Sequence, residues 1–330
     1  MIIPTLRVDK KEKYKHLVEV YRKQNIKVLR VNMARHTLER YCEDIQYLQA
    51  IANDQFEIMA DLPIPGKKYR LELLDEQEIA VKEKDMLVFL ARNSKKEKGI
   101  PVGIAAFPVE LKGCRILIGD GELRLRVQES SPESIKAIAE NVAIIRGKRA
   151  FVLAEKMPYE LYSKDFLAAY LKALKEIQPS KVVLSFAEDI SELTKLKDIF
   201  EKQLPNASVV PKLETQKAIE NCSEIFDLFE EVMLGRGDLA LFGDVKRFGE
   251  NQELVLRTAQ EKKRNVIVAT DILGSLYDNV IPSRGDLTDL YYLKKMGCKD
   301  IVASAGISMR EDLFGAFCEF AQGFRLTAKN

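Results

Sequence analysis

Two stretches decide the fold: ASVVPKLE at residues 207–214 and VMLGRGD at residues 232–238. Each begins with a short aliphatic run and ends in charged side chains. Runs of this kind, bounded by turn residues and separated by helical stretches, are typical of buried parallel strands. The carboxyl ends of neighbouring parallel strands meet at one edge, where α/β barrels carry their active sites. The pattern therefore predicts a barrel with a polar mouth.

The charged side chains at these two strand ends are Lys212, Glu214 and Asp238. Two carboxylates suit a hard divalent ion such as Mg²⁺ or Mn²⁺, which polarises a small oxyanionic substrate. A lysine beside them stabilises an enolate or a transferring phosphoryl group. The three side chains predict a divalent-metal site with an adjacent cation.

Bulk composition is that of a soluble globular protein, with 46% hydrophobic and 31% charged residues in a chain of 330. The 52 basic and 50 acidic residues nearly cancel, which argues against nucleic-acid or membrane-surface partners. The five cysteines are scattered and never spaced as CxxC, so reduced thiols are expected. The first residues show no apolar h-region and no run approaches the length of a membrane span, so neither a signal peptide nor a membrane span is expected. We expect a cytoplasmic location.

The order of elements predicts one barrel interrupted by an insertion. Strand and helix alternate up to the breaker LPIPG at residues 62–66. From residue 67 to 149, short alternating segments separated by turns indicate a small, mostly antiparallel β domain, which we expect to act as a lid. Alternation then resumes. We predict a (β/α)₈ barrel from residues 1–66 and 150–330, with three strands before the insertion and five after it: 1–5, 26–31, 56–60, 181–185, 207–212, 232–234, 265–270 and 300–304.

Eight segments follow one another along the chain in this order: VLRVNMARH, IMADLPIPG, IGDGELRLRV, LSFAED, PKLE, GRGDL, VIVATDIL and PSRGDLTDL. Together they resemble the barrel and small β domain of the pyruvate kinase family. The resemblance covers nearly all of the sequence. The family's carboxy-terminal regulatory domain has no counterpart in these 330 residues.

The resemblance implies a role for each matching residue. Lys212, Arg30 and Thr270 match catalytic positions that hold the phosphoryl group and the substrate carboxylate. Glu214 and Asp238 match the ligands of Mg²⁺ or Mn²⁺. Further substrate contacts are implied for Gly237, Asp238, Thr270, Ser185 and Phe186. Contacts to a nucleotide or to the lid are implied for Asn32, Arg35, His36, Asp61, Lys68 and Asp120.

Departures from the family pattern concentrate on the nucleotide and potassium side. Ala34 stands where the family has a serine oxygen, and Leu62 stands where it has a threonine. Losing side-chain oxygens predicts a weakened or absent potassium site. Lys68 keeps a positive charge where an arginine is expected but cannot form the same two-pronged contact.

Three hypotheses follow from this pattern. The first is a pyruvate-kinase-like phosphotransferase that acts on phosphoenolpyruvate and ADP and gives pyruvate and ATP. The second keeps the enolate chemistry but decarboxylates or cleaves a 2-oxo acid without a nucleotide. The third is a non-catalytic paralogue that binds a small metabolite or a protein partner. A homo-oligomer through barrel helices fits each of them.

Overall fold

The computed structural model describes residues 1–64, 69–74, 77–96, 98–119, 121–147, 149–153 and 162–324. The chain divides into two compact units. The first combines Met1–Pro63 with Ser163–Asn330, and the second is Ile64–Tyr162.

The described part of the chain contains seventeen strands. In chain order they are β1 (Ile2–Leu6), β2 (Val28–Asn32), β3 (Glu57–Leu62), β4 (Tyr69–Arg70), β5 (Glu78–Val81), β6 (Met86–Leu90), β7 (Ile100–Pro101), β8 (Arg115–Ile118), β9 (Leu123–Ser130), β10 (Ser134–Ala139), β11 (Ala143–Arg146), β12 (Ala150–Leu153), β13 (Lys181–Leu184), β14 (Ser208–Leu213), β15 (Glu231–Gly235), β16 (Asn265–Ala269) and β17 (Asp300–Ala303).

Eight of these strands form a closed barrel in the order β1-β17-β16-β15-β14-β13-β3-β2. All of their pairings are parallel. Helices follow the strands along the chain, as parallel pairing requires. The expected (β/α)₈ barrel is therefore confirmed.

The barrel interior contains an apolar layer to which each of the eight barrel strands contributes. Its members are Ile3, Val28, Met59, Val183, Val210, Met233, Ile267, Ala269 and Val302. Most are β-branched or flexible aliphatic side chains, which fill a closed barrel at close to crystal density. Because side chains two residues apart on a strand face the same side, this layer determines which residues point inward nearer the mouth.

The helices, named in chain order, are α1 (Lys11–Lys23), α2 (Leu38–Ala52), α3 (Lys164–Ile177), α4 (Ile190–Gln203), α5 (Gln216–Glu220), α6 (Cys222–Leu228), α7 (Arg236–Phe242), α8 (Phe248–Glu261), α9 (Arg284–Lys295), α10 (Ala305–Ser308) and α11 (Glu311–Phe320). Side-chain oxygens cap several amino ends, as at Thr37, Ser163 and Ser283. No helix of the described chain is long and apolar enough to cross a membrane.

One stretch that reads as a single helix is divided in the structure. The pattern from residue 216 to 229 predicts one helix, but α5 ends and α6 begins around Asn221. The Asn221 side chain donates to the Glu188 carbonyl, 2.9 Å away in the preceding strand–helix connection. That tertiary bond provides an alternative to the helical backbone pattern at this residue.

The inserted unit contains a seven-stranded sheet in the order β4-β12-β8-β9-β10-β6-β7 and a separate β5/β11 pair. All pairs except β6/β7 are antiparallel. Strand β9 alternates buried and exposed side chains from Leu123 to Val127, as a sheet with one solvated face requires. Strand β12 pairs with β4 and β8, whereas the sequence-based division assigned residues from 150 onward to the barrel.

Candidate active site

A polar layer lies directly above the apolar layer of the barrel. Each of its members follows an apolar residue of a barrel strand by two positions: Thr5 after Ile3, Arg30 after Val28, Asp61 after Met59, Lys212 after Val210 and, one residue past the end of β13, Ser185 after Val183. The local period of two therefore aims these side chains into the barrel near the carboxyl ends of the strands. Five strands, β1, β2, β3, β13 and β14, position these cations, this carboxylate and these hydroxyls.

Asp61 is the centre of this layer and is 1% exposed. Its Oδ1 accepts from Lys212 Nζ at 2.8 Å, and its Oδ2 accepts from Arg30 Nε at 2.8 Å and from Arg30 Nη2. Arg30 Nη1 also donates to Thr5 Oγ1 at 3.1 Å. One buried carboxylate thus pairs with two cations, from strands β2 and β14.

Glu214 continues the network at the end of β14. Its Oε1 lies 3.5 Å from Lys212 Nζ, and its Oε2 accepts from the Phe186 backbone N–H at 3.0 Å. A Cβ at Gly235 would lie 2.7 Å from both Cγ and Oε1 of Glu214. Only a glycine on the neighbouring strand leaves room for this carboxylate.

Burial and neighbouring charges shift the pKa values of Asp61, Lys212 and Glu214. Burial opposes the charge on Asp61, but Lys212 and Arg30 outweigh it and hold the pKa of Asp61 below its usual range. Burial likewise opposes the charge on Lys212, but Asp61 and Glu214 raise the pKa of that amine. For Glu214, burial outweighs Lys212 and, with the charges of Asp238 and Asp61, raises the pKa to about 7. Asp238 therefore lies close enough to Glu214 to repel its charge.

Thr270 and Gly237 form a second part of the site. A Cβ at Gly237 would lie 3.0 Å from Thr270 Cγ2 and 3.4 Å from Thr270 Oγ1, so the threonine packs over the first turn of α7. Thr270 follows the last residue of β16 and is exposed. Its φ of 76° places it in the left-handed region, which β-branched residues rarely adopt.

Other residues expected in the site make different contacts. Ser185 Oγ donates to the Leu62 carbonyl at 2.7 Å, and the Phe186 ring packs edge-on against Phe242 at 5.0 Å between centroids. Asn32 Oδ1 accepts from a backbone N–H two residues later.

The Arg35 and His36 backbone N–H groups donate to the Tyr41 hydroxyl at 3.0 and 3.3 Å, and the His36 ring packs against the Tyr41 ring. Both therefore belong to a loop held by α2. Lys68 and Asp120 lie outside the described residues.

The sequence reasoning missed the contacts that three residues make in the site. Thr5 accepts from Arg30, Gly235 admits Glu214, and Arg236 holds the backbone of Thr270. The period of two from Ile3 to Thr5 is a signal that would have identified the first. The glycine that ends β15 signals a close approach, but its partner lies on another strand.

The donor set suits a divalent ion that shares its ligands with a substrate. Within the described residues, no group of three or more His, Cys, Asp or Glu side chains is arranged to hold a metal. Two carboxylates, Glu214 and Asp238, are close enough for each charge to oppose the other. Mg²⁺ is commonly held by one or two carboxylates, with waters and substrate oxygens completing its shell. The residues present fit that kind of site.

The fold and these side chains define a (β/α)₈ barrel with a buried charge network at the carboxyl ends of its strands, the face on which barrel enzymes bind their substrates. The model of the pyruvate kinase barrel domain matches residues 1–304. This chain belongs to the pyruvate kinase family.

Curated relatives agree with the family assignment. The chain is 26% identical over 285 residues to pyruvate kinase of Thermococcus litoralis, covering 84% of this chain and 59% of the relative. For the Thermotoga maritima enzyme the identity is 26% over 233 residues, covering 69% of this chain and 50% of the relative. For the Pyrobaculum aerophilum enzyme it is 25% over 279 residues, covering 82% and 59%. The chain spans 50–59% of the length of these relatives.

Proposed function

We propose that this protein transfers a phosphoryl group between phosphoenolpyruvate and ADP and gives pyruvate and ATP. The observation that carries the proposal is the convergence of Lys212, Arg30 and Glu214 in one buried network at the barrel mouth. The names of the relatives support the same reaction. Phosphoryl transfer depends mainly on positioning and charge neutralisation, for which fixed cations are suited.

Each residue has a role that follows from its surroundings. Lys212 stays protonated because Asp61 and Glu214 raise its pKa, so its amine can donate to an enolate or phosphoryl oxygen as negative charge develops there. Arg30 supplies a second fixed charge at the same edge. Thr270 offers its hydroxyl to the substrate carboxylate.

A divalent ion, Mg²⁺ or Mn²⁺, held by Glu214 and Asp238 would supply Lewis-acid polarisation of the substrate oxygens. Potassium is expected to bind weakly or not at all, because the methyl group of Ala34 and the aliphatic side chain of Leu62 offer no oxygen ligand.

A second candidate is enolate chemistry on a 2-oxo acid without a nucleotide. One observation favours it: three donor groups of Arg30 are already engaged, two by Asp61 and one by Thr5. A guanidinium bound in this way has less capacity for a phosphoryl group, whereas Lys212 and Glu214 retain what an enolate needs. Decarboxylation of oxaloacetate would use the same residues.

The test is a coupled assay of ATP formation from phosphoenolpyruvate and ADP with Mg²⁺ or Mn²⁺, with and without potassium. The Lys212→Met variant should lose turnover. Lys181→Met is the matched control, because Lys181 is a half-buried strand lysine paired with Glu231 at the amino end of β13. ATP formation that needs Lys212 but not Lys181 supports the kinase reaction.

Pyruvate release from oxaloacetate without ADP would instead support the second candidate. No turnover in either assay, combined with Mn²⁺-dependent oxalate binding in calorimetry, would support a metabolite-binding paralogue. A homo-oligomer remains a prediction, which light scattering can decide.

A further inference from the structure

Arg236, at the start of α7, is 6% exposed and joins several parts of the barrel. Its Nε and Nη2 donate to the Thr270 carbonyl at 2.9 and 2.6 Å. Its Nη1 lies 2.9 and 2.7 Å from the two carboxylate oxygens of Asp289 on α9 and 3.3 Å from Gln252 Oε1 on α8. The guanidinium therefore joins α7, α8 and α9 to the end of β16.

Thr270, whose carbonyl accepts from this guanidinium, has an unusual backbone conformation. Thr270 has φ of 76°, and Asp271 after it has φ of 53°. A β-branched residue adopts this region only where the surroundings enforce it. Two N–H groups of the Arg236 guanidinium donate to the carbonyl of Thr270. Because Gly237 has no side chain, the Thr270 side chain has room to pack against it.

We propose that Arg236 is a positioning residue that holds Thr270 in its turned conformation and so fixes the direction of its hydroxyl. The inference rests on the proposed function, in which Thr270 binds the substrate carboxylate. Arg236 acts through Thr270 and does not touch the substrate, because its donor groups are engaged by the protein itself. Recognition of a substrate carboxylate would thus depend on a buried side chain.

The chemistry of the side chain explains why an arginine is needed. A guanidinium directs two N–H groups at one carbonyl and others at a carboxylate, with a fixed angle between them. An ammonium group is a point charge on a flexible stem and cannot hold a carbonyl from two positions. Arg236→Lys therefore preserves the charge next to Asp289 but removes the paired donors to Thr270.

The experiment combines the variants Arg236→Lys, Thr270→Ala and the double variant. Arg264→Lys is the matched control, because Arg264 Nε also donates to a backbone carbonyl, that of Phe226 at 3.1 Å, but at the amino end of the barrel. The expected result is a rise in KM for phosphoenolpyruvate of roughly 10- to 100-fold in Arg236→Lys, with a smaller change in kcat. Arg264→Lys should leave both unchanged.

The double variant distinguishes positioning from a general structural role. If Arg236 acts through Thr270, Arg236→Lys has little further effect once the hydroxyl is gone, and the two effects do not add. Multiplying effects would overturn the proposal. Asp289→Asn is a second variant, which keeps Arg236 and weakens its anchor; it should raise KM in the same direction if Arg236→Lys fails to fold.

A crystal structure of Arg236→Lys, or of Asp289→Asn, decides the positioning independently of turnover. We expect φ of residue 270 to leave the left-handed region. An unchanged φ there overturns the inference, whatever the enzyme does. Absence of ATP formation by the unmodified protein would instead refute the proposed function, so the two failures are distinguishable.

Discussion

Replacement of Asp61 by Asn is expected to destabilise the barrel strongly. The carboxylate accepts from Lys212 on one oxygen and from Arg30 on the other, whereas an amide offers one acceptor oxygen and one NH₂ donor. Either Lys212 or Arg30 would then face the NH₂ group of the amide, which is a donor and cannot accept its hydrogen bond. For Lys212, the remaining carboxylate oxygen lies 3.5 Å away on Glu214. Removing one partner from a buried ion pair costs about 3–5 kcal/mol, because the other charge stays buried without compensation.

The assay is urea unfolding followed by circular dichroism at the helical band. All helices of the described chain lie in the barrel unit, so this signal reports on the barrel. Asp227→Asn is the matched control: Asp227 pairs with Lys262 but is 66% exposed, and exposed pairs contribute up to about 1 kcal/mol. A loss below about 1 kcal/mol in Asp61→Asn would refute the view that Asp61 is the main neutralising charge.

The loss of stability caused by Asp61→Asn is expected to depend on pH. Because the folded-state pKa of Asp61 is lowered from 3.8, its contribution to stability is fully present above that value and is lost as pH falls through the lower folded-state pKa. The difference in free energy of unfolding between the unmodified protein and Asp61→Asn should therefore shrink as pH falls below 3.8. A difference that grows in acid would contradict this assignment.

Three further predictions concern the barrel mouth. Gly235→Ala should displace the Glu214 carboxylate, because the new Cβ would lie 2.7 Å from Cγ and Oε1 of Glu214. The Mn²⁺ affinity measured by calorimetry should then fall at least tenfold. Gly249→Ala is the control and should preserve the affinity, because its Cβ would have no atom within 4 Å. The free energy of unfolding of the metal-free protein should decrease as pH rises from 4.5 to about 7, because the folded state retains a proton on Glu214 that the unfolded chain has released; in Glu214→Gln this slope should disappear. Gly306→Ala should cost about 1–3 kcal/mol in thermal unfolding, because its Cβ would overlap the Tyr277 hydroxyl; an unchanged melting temperature would show that this ring moves freely.

The barrel was predictable because its strands carry a local signal. Runs such as Val209-Val210 and Ile267-Val268 are too short for helices and are bounded by turn residues, and eight of them in alternation with helices admit few folds. The break at Asn221 was not predictable in this way, because it depends on the Glu188 carbonyl 33 residues away in the chain.

The candidate site was only partly predictable, for a related physical reason. Lys212 and Glu214 follow one strand, so their common location can be inferred from the strand alone. The bond from Lys212 to Asp61 joins residues 151 positions apart, and it exists because barrel closure and register bring β3 and β14 into reach through the interior. Likewise, the side-chain contacts of Arg236 could not be inferred from its neighbours in the sequence, because its partner Asp289 lies 53 positions away in the chain.

Charge balance connects the ion pairs at the mouth with the proposed metal. Lys212 and Arg30 contribute two positive charges, and Asp61, Glu214 and Asp238 contribute three negative charges when all are ionised. An excess of negative charge around the buried Glu214 is costly, and with its pKa raised to about 7 this carboxyl can relieve the excess by binding a proton. A divalent cation on Glu214 and Asp238 would replace that proton and supply the missing positive charge itself. Metal binding at neutral pH should therefore release a fraction of one proton, more at pH 6 than at pH 8.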